Sequence, residues 1–361
     1  MEIHELLELM VKKGASDLLL RGDHIPTLRV EGDLVPLDLA ALPDEEVRRL
    51  VYSLLSPEDV AHFEQTIELD FACELPGVAR YRANLFKQKG SLGAAFRAIP
   101  FRIPTMEELN LPPLCRTMAE RPRGLILVTG PAGSGKTTTQ AAILNHINTN
   151  FSQHIMTVED PIEFVHQDKR SMVNQRQVGR DTLSFANALK WVLREDPDII
   201  LVGEMRDLET MANAITAAET GHLVLGTLHT TDAVQTVDRV VDVFPRHQQQ
   251  QIRIQLSVNL LGVISQTLLK RSDGNGRVAA FETMLANPAI RNLIREANTH
   301  QIGSLIQTGL KQGMNTLDQY LANLVTKRVI DYPVALEKAA NVEEFHRLLE
   351  PSDSKVAART R

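Results

Sequence analysis

The sequence predicts an α/β protein in two parts. Residues 1–100 read as a small α+β domain built on an antiparallel sheet, and residues 111–350 as a larger domain of parallel strands alternating with helices. Three observations predict it. Short strand-like runs at 69–73, 79–86 and 91–99 follow one another with no helix between them. Beyond a boundary near residue 105, continuous apolar runs at 125–128, 155–158, 199–202 and 223–225 alternate with helical stretches, as in a parallel sheet covered on both faces. Between the two regimes Pro100, Pro104, Pro112 and Pro113 punctuate a linker at 101–110.

Taken in order, residues 2–12 set Ile3, Leu6, Leu7, Met10 and Val11 at helical spacing, and Gly14 follows as a C-terminal cap. Strands at 18–20, 28–30 and 34–37 come next, the last two joined as a hairpin through Glu31, Gly32 and Asp33. Helices at 44–55 and 57–65 precede the three strands named above. In the second part the run 125–128 leads straight into a glycine-rich loop and then a helix-forming stretch at 138–147. Residues 351–361 are polar and small and read as a disordered tail.

At 361 residues the chain has room for two cores, since a domain usually takes about 100–200 residues. A hydrophobic content of 43% supports ordinary globular folding. The formal charge is −6, from 39 basic and 45 acidic side chains, and no block of five or more Lys and Arg occurs. That balance argues against a nucleic-acid motor, whose affinity rests on phosphate neutralisation. Cys73 and Cys115 are far apart and have no Cys-x-x-Cys partner, which leaves neither a disulfide framework nor a zinc site. No window approaches the ~20 apolar residues of a membrane span, so the expected location is cytoplasmic.

The loop reads Gly130, Pro131, Ala132, Gly133, Ser134, Gly135, Lys136, Thr137, with Thr138 opening the helix. Glycines at 130, 133 and 135 allow successive N–H groups to turn inward as an anion nest closed by a helix N-terminus. Lys136 is then expected to reach the β and γ phosphates, and the Thr137 hydroxyl to sit on Mg²⁺. The expected ligand is a nucleoside triphosphate.

In a parallel sheet ligands collect beyond the carboxyl ends of the strands, so the residues that follow each run carry the chemistry. After 155–158 come Glu159, Asp160 and Glu163, which can orient water or Mg²⁺ or simply form a solvated acidic turn. After 199–202 comes Glu204, expected to polarise the attacking water from a strand that exits beside the loop. His222 and His229 flank the fourth run and would stand roughly 20 Å apart if it stayed extended, so they do not share a metal. His229 falls at the ligand end, where an imidazole can sense the γ phosphate, and His222 at the strand start. Arg80 and Arg82 share one face of a strand and Arg97 lies on the next. Isolated arginines there usually line a solvated face, but a guanidinium supplied by a neighbouring subunit can raise phosphoryl-transfer rates by ~10³ to 10⁵.

These elements together resemble the secretion ATPases, and most closely the type IV pilus retraction motors among them. The resemblance covers nearly the whole chain. It runs through Gly-Ala-Ser-Asp-Leu at 14–18, the loop at 130–137, Val-Glu-Asp-Pro-Ile-Glu-Phe-Val-His at 158–166, and Arg-Glu-Asp-Pro-Asp-Ile-Ile-Leu-Val-Gly-Glu-Met-Arg-Asp at 194–207. It continues with Ala-Glu-Thr-Gly-His-Leu-Val at 218–224, Gly-Thr-Leu-His-Thr-Thr at 226–231 and Ala-Ile-Arg-Asn-Leu-Ile-Arg-Glu at 289–296, the most discriminating segment. Ala132 replaces a common Thr and Thr137 a common Ser, and neither change removes the N–H or hydroxyl needed.

The resemblance implies a PAS-like N-terminal domain joined to a RecA-like P-loop ATPase core, with ATP bound between the two domains and Mg²⁺ as its ion. It implies a homohexameric motor for pilus retraction and twitching motility, peripheral at the cytoplasmic face of the inner membrane. Its partners would be a pilus platform protein, the pilus machinery and a PilU-like paralogue. Glu163 would join an acidic box beside the metal, acting through water, Glu204 would be the catalytic acid, and His222 and His229 would form a histidine box. Arg80, Arg82 and Arg97 would lie near a neighbour's triphosphate. A general secretion or DNA-uptake ATPase and an accessory retraction subunit are the alternatives. In the octet at 289–296, Asn287 can cap, Pro288 suits the first helical position, and Ile290, Leu293 and Ile294 form an apolar stripe. Arg291 and Arg295 share another face; the bland reading is a core helix with solvated arginines, and the resemblance implies a role in coupling hydrolysis to retraction.

Overall fold

The computed structural model describes residues 2–30, 32–99, 102–274 and 276–350; the tail expected at 351–361, the hairpin residue Glu31 and the linker residue Phe101 lie outside the described residues. The chain divides into two compact units. One runs to Ile103 and takes in Pro161–Val165, and the other comprises Pro104–Asp160 and the chain from His166 onward.

In the first unit the described residues form six strands: β1 (Asp17–Arg21), β2 (Thr27–Val30), β3 (Asp33–Pro36), β4 (Glu68–Leu75), β5 (Ala79–Gln88) and β6 (Ser91–Ile99). They pair in the order β3-β2-β1-β6-β5-β4, antiparallel throughout. Period-two alternation decides which face is dry. On β5, Ala79, Tyr81, Ala83 and Leu85 are buried while Arg80, Arg82 and Asn84 point to the other face. The helices Ile3–Lys12, Asp44–Tyr52 and Pro57–Thr66 supply Leu6, Leu7, Met10, Val47, Leu50 and Phe63 to the same core as Leu18, Phe71, Tyr81 and Phe96. Each such buried side chain contributes about 1.5–3 kcal/mol. The Tyr81 hydroxyl is not left orphaned in that core, because it donates to Leu7 O at 3.0 Å.

The second unit holds β7 (Gly124–Thr129), β8 (His154–Glu159), β9 (Met172–Gln177), β10 (Ile199–Val202), β11 (Leu223–Leu228), β12 (Leu260–Lys270) and β13 (Arg277–Leu285). Their order is β13-β12-β7-β11-β10-β8-β9. Every pairing is parallel except β12 with β13, so the sheet is mixed rather than wholly parallel. The four expected strands, β7, β8, β10 and β11, are its interior, and their apolar residues lie in one continuous core with the helices Lys136–Asn150, Phe185–Val192 and Leu208–Glu219. β9, β12 and β13 are strands beyond the four expected. β9 and β12 interleave polar residues, Asn174, Gln175 and Arg176 in the first and Ser265, Gln266 and Thr267 in the second, whereas β13 carries Val278, Ala279, Ala280 and Phe281 as a continuous apolar run. Helices Leu317–Thr326, Tyr332–Lys338 and Val342–Leu349 build a smaller core of Leu321, Ala335 and Phe345 over Leu269 and Ala280.

Candidate functional site

Parallel register brings the carboxyl ends of β7, β11, β10 and β8 to one edge: Val128 stands beside Thr227, Val202 beside Gly226, and Val158 beside Val202. The loop 130–135 leaves β7 at that edge. Gly130 at φ +143° and Gly135 at φ +89° adopt backbone that a side chain disfavours, and Gly135 caps the helix Lys136–Asn150. Three N–H groups of that helix's first turn therefore have no intrahelical partner, which makes a site for an anion. Thr137 and Thr138 lie in the same turn.

β7 pairs with β12 on one side and β11 on the other, and not with β10. The expectation that Glu204 exits directly beside the loop is corrected accordingly: one strand intervenes, and the residue at that strand's end, His229, bridges the gap. Lys136 Nζ lies 2.8 Å from Gly130 O, 3.0 Å from Pro131 O and 3.4 Å from His229 Nδ1. His229 Nε2 lies 2.8 Å from Glu204 Oε1. An ammonium has donors only, so Nδ1 accepts and the ring proton sits on Nε2, from which it is donated to Glu204. Arg206 Nε donates to the same carboxylate oxygen. The result is one polar chain, Lys136–His229–Glu204–Arg206, across three strand ends.

Burial pushes the Glu204 carboxyl up, but the Arg206 guanidinium and the His229 ring together outweigh it and hold the group below the usual carboxylate range. It is therefore an anion at neutral pH, able to accept a hydrogen bond from water. Arg206 carries only one signal in the sequence, its spacing two residues beyond the strand-end carboxylate.

The other sequence-predicted residues are held by partners of their own. His222 stands at the opposite end of β11, its Nδ1 2.9 Å from Ala217 O, where it closes the turn after the helix Leu208–Glu219. Glu163 belongs to the first unit, where its carboxylate faces Arg82 at 3.6 Å. Arg97 sits opposite Arg82 on β6 and donates to Asp17 at 2.8 Å. Arg80 Nε is buried without a hydrogen-bond partner among the described residues. Of the three carboxylates expected after the run 155–158, Glu159 ends β8 and is the buried one, accepting from Thr157 Oγ1 at 2.6 Å and Gln175 Nε2 at 3.0 Å.

In the octet the cap and stripe are as expected: Asn287 Oδ1 accepts from Ile290 N at 3.0 Å, and Ile290 and Ile294 are fully buried. The solvated reading of Arg291 is overturned. Its guanidinium donates to Ala286 O at 2.7 Å, Ser257 O at 2.8 Å, Leu260 O at 2.9 Å and Val258 O. The helix Arg246–Asn259 ends there, and the carbonyls of Ser257, Val258 and the C-cap Leu260, which have no intrahelical donor, take three of the four hydrogen bonds from the arginine.

Among the described residues no group of three His, Cys, Asp or Glu side chains is placed to cage a metal ion. A Mg²⁺ ion fits such a site nonetheless, since it is commonly held by one or two protein oxygens, water and the phosphates of its nucleotide. Among the described residues no helix is long and apolar enough to cross a membrane.

Residues 105–274 match the family model described as Type II/IV secretion system protein. Over 345 residues the chain is 54% identical to the Type IV pilus retractation ATPase PilT of Pseudomonas aeruginosa, covering 96% of this chain and 100% of that protein. A Twitching motility protein of Neisseria gonorrhoeae is 53% identical over 320 residues, 89% of this chain and 86% of that protein. A crystal structure of the pilus retraction motor PilT with bound ADP is similar at a TM-score of 0.88 and 46% identity, covering 96% of this chain and 99% of that one.

Proposed function

Because the chain belongs to the PilT family of type IV pilus retraction ATPases, we propose that it is a Mg²⁺-dependent ATP hydrolase that works as a homohexameric motor for pilus retraction and twitching motility. The observation that carries the reading is the polar chain from Lys136 through His229 to Glu204, set at the strand ends beside a phosphate-binding loop. Loop and helix N–H groups bind the β phosphate. Lys136, now on two loop carbonyls and His229, turns to the β and γ phosphates. Its departure frees Nδ1 of His229, so the imidazole reports to Glu204 that a triphosphate is bound. Glu204, already ionised, orients the attacking water. Thr137 would hold Mg²⁺, which would neutralise charge developing on the phosphates.

Arg80, Arg82 and Arg97 lie on the sheet face opposite the first unit's core. In a ring they serve a neighbour's triphosphate, Arg82 exchanging Glu163 for phosphate. Mixing Arg82→Ala and Lys136→Ala subunits tests this: a ring that joins an intact loop to a neighbour's intact Arg82 regains activity above the sum of the two parents. Strictly additive activity would reject the shared site.

In cells, the chain acts at the cytoplasmic face of the inner membrane through a pilus platform protein, alongside a PilU-like paralogue. Deleting its gene should leave cells that carry surface pili and do not twitch, with twitching restored by the parent and not by Glu204→Gln. Bald cells would indicate an assembly motor instead.

A further inference from the structure

A phosphate-binding loop that points its N–H groups at an anion must place its carbonyl oxygens elsewhere, and each needs a donor. Two of them, Gly130 O and Pro131 O, accept from Lys136 Nζ. That arrangement is temporary on the reading above, because the ammonium is drawn to phosphate. The third, Ser134 O, has a different donor. Gln266 Nε2 on β12 donates to it at 2.6 Å from beneath the loop.

Gln266 is 4% exposed and Ser134 3% exposed, so this hydrogen bond is sealed from water. The same residue touches both ends of the loop. A Cβ on Gly130 would fall 2.2 Å from Gln266 O, and one on Gly135 would fall 3.2 Å from Gln266 Nε2. β12 itself is fixed to β7 just before this point, where Ser265 pairs with Thr129 and their hydroxyls lie 2.8 Å apart. Gln266 thus projects from a rigid strand onto the underside of the loop. Two further polar atoms there, Ser134 Oγ and Gln266 Oε1, are buried without partners among the described residues. A site that leaves two such atoms unsatisfied holds the remaining hydrogen bond by geometry rather than by optimal polar pairing.

We infer that Gln266 is a positioning residue for the nucleotide phosphates: by holding Ser134 O below the loop it keeps the loop N–H groups converging above it after Lys136 has left for phosphate. The inference rests on the reading of 130–137 as a triphosphate site. It separates two jobs that the loop sequence alone merges, the charge supplied by Lys136 and the shape supplied by β12.

The test uses the full chain, with ADP binding and steady-state ATP hydrolysis measured side by side. Gln266→Leu keeps the volume and removes the donor. Leaving a buried carbonyl unsatisfied should raise both the ADP Kd and the KM for ATP by about 10-fold, with kcat changed by less than about threefold because Glu204, His229 and Arg206 are untouched. Gln266→Glu changes one group at constant size and supplies the readout that a merely structural role would not move. A carboxylate cannot donate to Ser134 O, whereas a protonated carboxyl can. ADP affinity of Gln266→Glu relative to the parent should therefore recover as pH falls from about 8 to about 6, the range into which burial carries a carboxyl. Parent-like Kd and KM in Gln266→Leu, or a Gln266→Glu deficit independent of pH, would overturn the inference and leave the ATPase reading standing. A parent chain that binds no ADP overturns both.

Discussion

Glu204→Gln should lose hydrolysis by about 10²–10⁴-fold while binding ADP as the parent does, the range expected when a positioned acid–base group is removed. The substitution keeps shape and keeps an acceptor for the His229 N–H, so the chain from Lys136 survives in outline. What it removes is the negative charge that burial opposes and that Arg206 and His229 sustain. An amide oxygen orients water weakly and takes up no developing positive charge. Arg206 keeps an acceptor but loses its ionic partner, and because its side chain is 77% exposed the loss has little effect on stability. Single-turnover hydrolysis together with ADP titration checks the split. Turnover near the parent's would remove Glu204 from the reaction, and loss of ADP binding would make its role structural.

Gly130→Ala should be the most damaging single-methyl change in the protein. Gly130 sits at φ +143°, where a residue with a Cβ is strained by about 1–3 kcal/mol. The added carbon would also fall 2.2 Å from Gln266 O and 2.6 Å from Ser134 Oγ. The nearer obstacle is backbone of a paired strand and cannot swing aside, so overpacking adds about another 1–3 kcal/mol. With about 1.4 kcal/mol per factor of ten, ADP affinity should fall at least ~30-fold. Gly133→Ala is the control from the same loop: its φ of +74° imposes strain, but nothing lies within 4 Å of the new methyl. It should retain most of the affinity that Gly130→Ala loses. Equal losses at the two positions would show that β12 does not bear on the loop.

The contrast between those glycines shows where the sequence stops being readable. Gly130, Gly133 and Gly135 look alike in a row of letters, and only the strand beneath them distinguishes the first. Gln266 could not be found from sequence because it lies in a polar break within β12: Ser265, Gln266 and Thr267 part Val263 and Ile264 from Leu268 and Leu269, and read as a polar turn unless the neighbours that bury them are known. Arg291 read as solvated for a similar reason. Helical periodicity assigns it a face, but the carbonyls that hold it belong to a helix end more than thirty residues earlier in the chain. The role of Glu204 as an ionised group likewise waits on Arg206 and His229, which folding brings to it.

By itself the sequence determined what local physics can encode. Glycines and Lys136 after an apolar run, interior strands from continuous apolar residues, the alternation that faces Arg80 and Arg82 away from the first core, and the capped octet helix all follow from neighbours a few residues apart. Tertiary structure decided strand order, which puts β11 and not β10 beside the loop, and with it the bridge through His229. It also decided which polar atoms are sealed from water and must find partners far along the chain. Strand order and desolvation arise from packing between distant segments, and no periodicity within one segment carries that information.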